Sequence, residues 1–248
     1  MKLSTIIITN KKSEELENLL KSVDFSDEII LVQDGNIPED QNQDSAASIR
    51  IYQHPLNNNF AEQRNFGLKK ARNNWVLFLD DDEEVSKELK KEILDHKFNA
   101  DAYYLKRRDF FWGRELKYGE TRKIRNKGLI RLVKKDAGKW QGKVHEEFKI
   151  TSSHLKIGRL KNYLNHYPHP TIKSFIEKIN YYSSLRADEL IQSGERFSLV
   201  KLLVYPPAKF ILNYFFYLGF LDGPEGFIYA FLMSFHSFLT RAKLYKHG

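Results

Sequence analysis

The chain has 248 residues, of which 42% are apolar, so it can form one sizeable α/β domain or one domain with an appendage. Because it contains no cysteine, disulfide bonds, thiolate metal sites and a cysteine nucleophile are excluded. The formal net charge of +8 predicts attraction to polyanions, which include nucleic acids, anionic lipid headgroups and phosphorylated substrates. The N-terminal segment MKLSTIIITNKK lacks the apolar length and the cleavage site of a signal peptide, which indicates a cytosolic protein.

Strand and helix patterns alternate through the first hundred residues. Short apolar or β-branched runs predict strands at residues 3–8, 28–32, 49–54, 75–79 and 102–106. Capping residues followed by amphipathic runs predict helices at residues 13–23, 59–71 and 86–97. This alternation predicts a doubly wound α/β sheet whose site lies at the carboxyl ends of the strands.

The pattern changes twice after residue 107. Residues 107–150 are rich in glycine, arginine, lysine and aromatics, and they predict loops and antiparallel strands around a site, with one clear strand at 129–133. A helix is predicted over 172–192, and 14 of the 31 Phe and Tyr residues follow Arg196. We therefore predict a catalytic domain at residues 1–170 and a helical, membrane-associating region at residues 171–248.

The segment WVLFLDDDEEV places five carboxylates directly after a predicted strand. Side chains alternate along an extended chain, so Asp80 and Asp82 face one way and Asp81 faces the other. Two such carboxylates suit a hard divalent cation, Mg²⁺ or Mn²⁺, that also binds a diphosphate. Glu84 is expected to begin the next helix, where acidic residues interact favourably with the helix dipole. The Asp-x-Asp motif of haloacid-dehalogenase phosphatases fits poorly, because that motif follows the first strand of a chain.

The helix predicted at 59–71 carries Arg64 on its inward face. A buried arginine can form an ion pair in the core, and Asp34 and Asp80 are candidate partners. A guanidinium close to the site can equally neutralise a diphosphate. The sequence leaves both interpretations of Arg64 open.

Four segments of the chain together resemble the inverting family 2 glycosyltransferases, which have the GT-A fold. They are FAEQRNFGLKKA, WVLFLDDDEEV, WQGKVHEEF and LDGPEGF. The resemblance is greatest to the lipopolysaccharide core glucosyltransferases that act on an inner-core heptose. It implies a Rossmann-like, GT-A nucleotide-sugar-binding domain followed by a helical, aromatic-rich C-terminal extension.

The resemblance also implies roles for individual residues. Contacts with the nucleotide sugar are expected from Thr9, Asp34 and Asp80, and Arg64 joins them if its guanidinium neutralises the diphosphate. The metal ligands are expected to be Asp82 and His145. Alternatively, His145 is expected to contact a phosphate of the donor. Glu146 is expected to act as the catalytic base that deprotonates the acceptor hydroxyl. Glu147 is the alternative base, because it faces the side of His145 if this segment is extended.

These assignments predict a metal-dependent, inverting hexosyltransferase. It moves a hexose in one displacement from a nucleotide sugar, expected to be UDP-linked, to a lipopolysaccharide-core or other lipid-linked glycan acceptor. One alternative is a basic nucleic-acid-binding protein, suggested by the tract KRRDFFWGRELKYGETRKIRNK. The other is a noncatalytic membrane scaffold, suggested because Lys11 and Lys12 stand where the family usually has an Asn-Glu pair. No nucleic-acid partner is expected for the transferase.

The apolar segment at residues 202–221 approaches the length that spans a bilayer, but it contains two prolines, Lys209 and Asn213. Burial of a lysine near the bilayer centre is costly, so these helices are expected to lie in the interface of the cytoplasmic membrane. The cations expected to attract an anionic leaflet are Lys201, Lys209, Arg241, Lys243 and Lys246. Alternatively, the aromatics pack on the catalytic domain or on another subunit.

Overall fold

The computed structural model of the protein describes residues 1–10, 13–34, 48–142 and 146–245. The chain divides into two compact units. The first unit comprises Met1–Arg107 and Asn126–His166, and the second comprises Arg108–Arg125 and Tyr167–Gly248. The chain therefore enters the second unit after residue 107, returns to the first, and completes the second from residue 167 onward.

The described segments contain both strands and helices. The strands are β1 (Leu3–Thr9), β2 (Glu28–Gln33), β3 (Ser48–Gln53), β4 (Trp75–Asp80), β5 (Glu83–Val85), β6 (Ala102–Phe111), β7 (Arg114–Leu116), β8 (Leu129–Lys134), β9 (Gly138–Gln141), β10 (Glu147–Ile150) and β11 (Ile157–His166). The helices are α1 (Glu14–Ser22), α2 (Phe60–Lys70), α3 (Lys87–Asp95), α4 (Arg122–Lys127), α5 (Ile172–Gln192), α6 (Leu199–Ile211) and α7 (Gly223–Tyr245).

A mixed sheet forms the centre of the first unit. Its parallel part has the order β3-β2-β1-β4, and the sheet continues through β8, β6, β11 and β5. The pairs β4–β8, β8–β6 and β11–β5 are antiparallel. A separate antiparallel pair is formed by β9 and β10. The predicted α/β fold class, with a Rossmann-like core and C-terminal helices, is thus confirmed.

Both faces of the parallel strands are covered by helices, which explains why β1 is buried along all seven residues. On one face, α1 and α3 contribute Leu19 and Leu89 to an apolar core. On the other face, α2 packs with Trp140 and Phe148 of β9 and β10. The continuous apolar run in β1 therefore reflects burial on two sides rather than a helical segment.

Helix α2 is positioned by its cap and by a glycine. The side chain of Asn59 accepts a hydrogen bond from the backbone N–H of Glu62 at 3.1 Å, which caps the helix as predicted. A Cβ atom at Gly67 would lie 2.6 Å from Cγ2 of Ile6, so the absence of a side chain lets α2 lie directly on β1. This close approach brings the inward face of α2, including Arg64, to the sheet.

The second unit consists mainly of helices. Helix α5 has the predicted limits, and its Phe175 and Ile179 pack with Phe111 and Leu232 in a separate core. Between α6 and α7 the chain forms a π-helical turn at Leu212–Phe216 and a 3-10 turn at Gly219–Asp222. Strand β7 pairs with the end of β6 that belongs to this unit.

The LDGPEGF segment builds a tight junction at the start of α7. The buried carboxylate of Asp222 accepts hydrogen bonds from the backbone N–H groups of Lys117 and Tyr118 at 2.9–3.1 Å. A Cβ atom at Gly226 would lie only 2.1 Å from the carbonyl oxygen of Gly219. The aspartate and glycines of this motif therefore hold a loop of the second unit and allow two backbone segments to touch.

Candidate active site

Parallel strands of the first unit end level with one another at the edge where the sequence predicts a site. β1 pairs with β4 up to Asp80, and Thr9 pairs with Gln33 of β2. The backbone N–H of Asp34 donates to the carbonyl oxygen of Thr9 at 3.0 Å. The side chain of Asp34 accepts from the N–H of Leu56 at 2.9 Å. The structure therefore brings Thr9 and Asp34 to the edge at which the acidic segment begins.

The carboxylates of the acidic segment take different directions after β4 ends at Asp80. The Thr9 hydroxyl donates to Oδ2 of Asp81 at 2.8 Å. Oδ1 of Asp82 lies 3.4 Å from Nε2 of His166, the last residue of β11. Because His166 pairs with Glu83 across β11 and β5, the sheet itself fixes this imidazole beside Asp82.

The last two carboxylates of the segment belong to a strand. The expectation that Glu84 begins a helix is wrong, because Glu83 and Glu84 pair with β11 and α3 begins only at Lys87. Pairing with a strand far along the chain overrides the local helix signal here. The fully buried side chain of Glu83 accepts a hydrogen bond from the backbone N–H of Asp80 at 3.1 Å, so it fixes the end of β4.

Two buried arginines hold the side chain of Asp80. Nη2 of Arg64 donates to Oδ1 at 2.6 Å, and Nη2 of Arg131 donates to Oδ2 at 2.7 Å. The Arg131 nitrogen also lies 3.3 Å from Oε1 of Glu83. The side chains of Arg64 and Arg131 are only 3% and 5% exposed. Of the partners considered for Arg64, the structure therefore shows an ion pair with Asp80.

The sequence interpretation missed Arg131, although a signal for it was present. Arg131 lies in the middle of β8, within the apolar run LIRLVK, and its side chain is buried. An arginine inside such a strand requires a carboxylate partner, as the inward Arg64 of α2 does. Searching β8, as well as α2, for an arginine within an apolar pattern would have identified both Arg64 and Arg131.

Charge pairing sets the ionisation of this cluster. Burial acts to raise the pKa of Asp80, but the guanidinium groups of Arg131 and Arg64 outweigh burial and hold that pKa well below its ordinary value. Burial likewise opposes the charge on Arg131, but Asp80 and Glu83 raise the pKa of Arg131 above its ordinary value. Asp80 is therefore a fixed anion at neutral pH.

Trp140 forms a platform beneath both arginines. The guanidinium carbons of Arg64 and Arg131 lie 4.7 and 5.8 Å from the centroid of its ring, within the range of cation–π attraction. The backbone of Trp140 donates to and accepts from the side-chain amide of Asn65, at 2.9 Å in each direction. Helix α2 thus positions the platform with the residue next to Arg64.

Glu146 joins the same cluster. Its Oε1 accepts from Nη2 and Nε of Arg64 at 3.0 and 3.1 Å, and its side chain is 14% exposed. The neighbouring Glu147 is instead 71% exposed and pairs with Lys149 of the same strand at 2.5 Å. Of the two candidate bases, Glu146 is the one held by the arginine that also binds Asp80.

The predicted metal site is described in part. His145 lies outside the described residues, and among those that are described no group of three or more histidine and carboxylate side chains converges as a metal site. Asp82 and His166 together offer a carboxylate oxygen and an imidazole nitrogen at the strand edge. The Asp82 carboxylate fits Mn²⁺ or Mg²⁺, which would take most of its other ligands from phosphate and water. The imidazole of His166 is a softer ligand than Mg²⁺ usually takes.

A cavity of about 530 Å³ lies beside α2 and includes the Trp140 platform in its wall. Its lining contains both aromatic rings and polar side chains, which include His54, Glu62, Phe66 and Gln141. The volume lies within the usual range for a small-molecule site. Rings combined with amide and carboxylate groups suit a carbohydrate, whose faces are apolar and whose edges carry hydroxyls.

The mixed α/β sheet with its parallel β3-β2-β1-β4 core is the fold class predicted for a GT-A protein. Residues 4–179 match the family model described as glycosyl transferase family 2. The chain belongs to this family and is a glycosyltransferase. Family 2 enzymes commonly use a divalent metal.

The relatives of the chain include other glycosyltransferases. The chain is 29% identical to the lipopolysaccharide core biosynthesis glycosyltransferase LpsC of Rhizobium meliloti, over 98% of this chain and 92% of that protein. It is 27% identical to an uncharacterized glycosyltransferase of Rickettsia typhi, over 98% of this chain and 86% of the relative. Among solved structures, S. aureus TarS in complex with UDP-GlcNAc aligns at 17% identity and a TM-score of 0.49, covering 96% of this chain and 81% of that one.

Proposed function

We propose that the protein transfers a hexose, with inversion, from a UDP-linked sugar to a lipopolysaccharide-core or other lipid-linked glycan acceptor. The observation that carries this proposal is the bridge made by Arg64, which binds Asp80 at the strand ends and Glu146 at the same time. One guanidinium thus connects the nucleotide edge to a carboxylate that can act as a base. The lipopolysaccharide acceptor is supported by the name of the relative LpsC.

The donor is proposed to lie along the strand ends. Thr9 and Asp34 would contact the base and the ribose, because Thr9 ends β1 and Asp34 follows β2 at this edge. Asp80 would face the ribose while Arg64 and Arg131 keep its carboxylate in one orientation. The guanidinium of Arg64 is also proposed to contact the donor diphosphate, which its planar fork of donors suits.

Asp82 is proposed as a ligand of Mg²⁺ or Mn²⁺, with His166 beside it and His145 retained as a candidate ligand or phosphate contact. A bound divalent cation would neutralise the diphosphate and the charge that develops on the departing UDP. A cation is proposed because the arginines of the buried cluster are matched by carboxylates and leave no excess positive charge for the diphosphate. Three described arginines face three described carboxylates there: Arg64, Arg107 and Arg131 with Asp80, Glu83 and Glu146.

Glu146 is proposed as the catalytic base. Its carboxylate takes the proton of the acceptor hydroxyl, the hydroxyl oxygen forms a bond to the anomeric carbon, and the bond from that carbon to the diphosphate oxygen breaks. If the proton is accepted by Oε2, the hydrogen bonds from Arg64 to Oε1 can persist through the step. One displacement inverts the anomeric configuration and requires no covalent sugar intermediate.

Three of the nine lysines and arginines in the basic tract that suggested a nucleic-acid partner form ion pairs within the protein. Arg107 lies 3.6 Å from Glu83 in the first unit. In the second unit, Arg125 pairs with Glu115, and Arg114 lies 3.7 Å from Glu225. Paired arginines attract phosphate less strongly than free ones, so a polysaccharide acceptor is preferred over nucleic acid.

The place of action is proposed to be the cytoplasmic face of the cell membrane, where a lipid-linked acceptor is presented. None of the helices in the described part of the chain is long and apolar enough to cross a bilayer. Association would therefore be peripheral, through the second unit, whose exposed side chains include Phe216 and Phe231.

Calorimetric titration of UDP, with and without Mn²⁺, tests the donor site. Asp82→Asn is expected to lower the affinity measured with Mn²⁺ by about tenfold to a hundredfold, as loss of a metal ligand or its support does. Asp24→Asn serves as the matched control, because that side chain is 61% exposed and pairs across the surface with Lys90. Metal-dependent UDP binding that survives Asp82→Asn would contradict the metal assignment.

Transfer assays with a panel of UDP-sugars and a heptose-containing core acceptor test the base. Glu146→Gln is expected to reduce the transfer rate by about 10²–10⁴-fold while UDP binding persists, because the proton acceptor is lost. Glu147→Gln, which alters an exposed carboxylate, should change the rate little. If Glu147→Gln caused the larger loss, the roles of the two glutamates would be exchanged.

A further inference from the structure

Helix α6 and the π-helical turn after it carry a continuous exposed band of apolar side chains. The band consists of pairs of residues that are adjacent in sequence and recur every four residues, about one helical turn apart. Successive pairs are therefore neighbours on the helix surface. All ten members are exposed: Leu199, Val200, Leu203, Val204, Pro207, Ala208, Ile211, Leu212, Phe215 and Phe216. At about 1.5 Å per residue, this apolar band is roughly 25 Å long.

The two lysines of α6 do not belong to the band, and Lys246, a third cation expected to attract an anionic leaflet, lies outside the described residues. Lys201 pairs with Glu195 at 2.5 Å, and Lys209 pairs with Glu120 at 3.0 Å. Both lysines thus bind carboxylates of their own unit, although the sequence suggested that they attract an anionic leaflet.

The basic residues of α7 are engaged in a similar way. Arg241 lies over the ring of Tyr205 at 4.6 Å and 3.4 Å from Glu195. Nζ of Lys243 donates to the hydroxyls of Ser183 and Ser184 at 2.7 Å. The exposed band of α6 is therefore apolar, and both lysines of the helix pair with carboxylates of the unit.

We propose that this band is the membrane-binding surface of the protein, and that it inserts lengthwise into the interface of the bilayer through apolar contact rather than through charge. The inference rests on the proposed function, because a lipid-linked acceptor places the enzyme at such a surface. Monomeric proteins rarely expose a contiguous apolar patch of this length without a partner. A helix that lies in the membrane plane is expected to bury such a face in the acyl boundary.

The composition of the band favours lipid over a second protein chain. Protein interfaces carry about one hydrogen bond per 100–200 Å² and a polar rim, whereas the acyl region of a bilayer supplies no hydrogen-bonding partner. The ten side chains of the band contain no hydrogen-bonding group. Phe215 and Phe216, which are 54% and 71% exposed, extend the apolar surface with aromatic rings at its C-terminal end.

The mode of binding has a measurable consequence. A surface that depended on lysines and arginines would require anionic lipid and would be released by salt. Binding through the apolar band should persist on neutral phosphatidylcholine vesicles. Raising NaCl from about 0.1 M to about 1 M shortens the Debye length roughly threefold but leaves apolar contact intact.

Flotation of the full-length protein with phosphatidylcholine vesicles, and with vesicles that also contain phosphatidylglycerol, tests the proposal at both salt concentrations. Wild-type protein should float with both vesicles and at both salts. The double variant Leu203→Gln/Phe216→Gln should bind about a hundredfold more weakly, since two apolar side chains that enter the bilayer are replaced by polar ones. Leu94→Gln/Ile157→Gln, which alters two exposed apolar residues of the first unit, should bind as wild type does.

Two results would overturn the proposal. Binding confined to anionic vesicles and lost at high salt would show that charge carries the association. No vesicle binding by wild-type protein, together with a dimer in light scattering that Leu203→Gln/Phe216→Gln disrupts, would show that a second copy covers the band. UDP titration of the same samples separates this proposal from the proposed function. Wild-type protein that does not bind UDP would count against the transferase. Wild-type protein that binds UDP but does not float with vesicles would count against the membrane surface.

Discussion

Replacing Arg131 with methionine should weaken both the fold and the donor site of the first unit. The substitution removes the 2.7 Å bond to Asp80 and the 3.3 Å contact with Glu83, and leaves two carboxylates with reduced compensation. Breaking a buried ion pair from one side costs about 3–5 kcal/mol. Asp80 keeps Arg64 as a partner, so the lower end of that range, about 3 kcal/mol, is expected.

The expected loss corresponds to a fall in Tm of about 6–12 °C for a protein of this length, and urea unfolding at neutral pH measures it directly. Arg131→Lys should cost less, about 1 kcal/mol, because one ammonium group retains the charge but not the planar fork. Arg72→Met is the matched control, since the Arg72 side chain is 72% exposed, and it should change stability by no more than about 0.5 kcal/mol. If Arg131→Met cost no more than Arg72→Met, the buried charge cluster would not be a stabilising framework for Asp80.

Two further predictions concern the sheet away from the site. Burial opposes the charge of Glu28, but the N–H of Arg72, the hydroxyl of Ser4 and Arg50 lower the pKa of Glu28 below its ordinary value of 4.5. The contribution of Glu28 to stability is therefore present above about pH 4.5 and is lost as the pH falls through its folded-state pKa. In urea unfolding, Glu28→Gln should lower the free energy of unfolding by about 1–2 kcal/mol at pH 7. This deficit should shrink below about pH 4. A deficit that stayed constant down to about pH 3 would contradict this account of its pKa. Gly67→Ala should destabilise the protein by about 1–3 kcal/mol, because its Cβ would lie 2.6 Å from Cγ2 of Ile6. This loss is expected although alanine has the better helix propensity. A rise in Tm would show that α2 does not approach β1 so closely.

The elements predicted well from sequence are those whose signal is local and strong. The strand core at β1 and the limits of α5 each follow from a β-branched or periodic apolar pattern within one segment, and the cap of α2 follows from Asn59. The edge that carries the candidate site also followed, because parallel strands place their carboxyl ends together. Fold class and the position of the acidic segment were therefore accessible from sequence patterns alone.

The short strands were not accessible in the same way. β5, β9 and β10 have three or four residues each, and their pairing is decided by partners that lie elsewhere in the chain. β5 pairs with β11, which lies more than seventy residues further along, and this pairing places Glu84 in a strand and His166 beside Asp82. No pattern within the segment DDDEEV contains that information, because the partner strand supplies it.

The described structure divides the acidic segment by the partners of its carboxylates. Asp80 and Glu83 belong to a buried framework that their arginines neutralise, whereas Asp81 and Asp82 lie beside a hydroxyl and an imidazole. A neutralised framework has little positive charge left for a donor diphosphate, which supports the cation proposed at Asp82. The segment can thus serve two needs at once, because its buried carboxylates fix the geometry of the strand end while Asp82 stays at the edge where we propose that a cation binds.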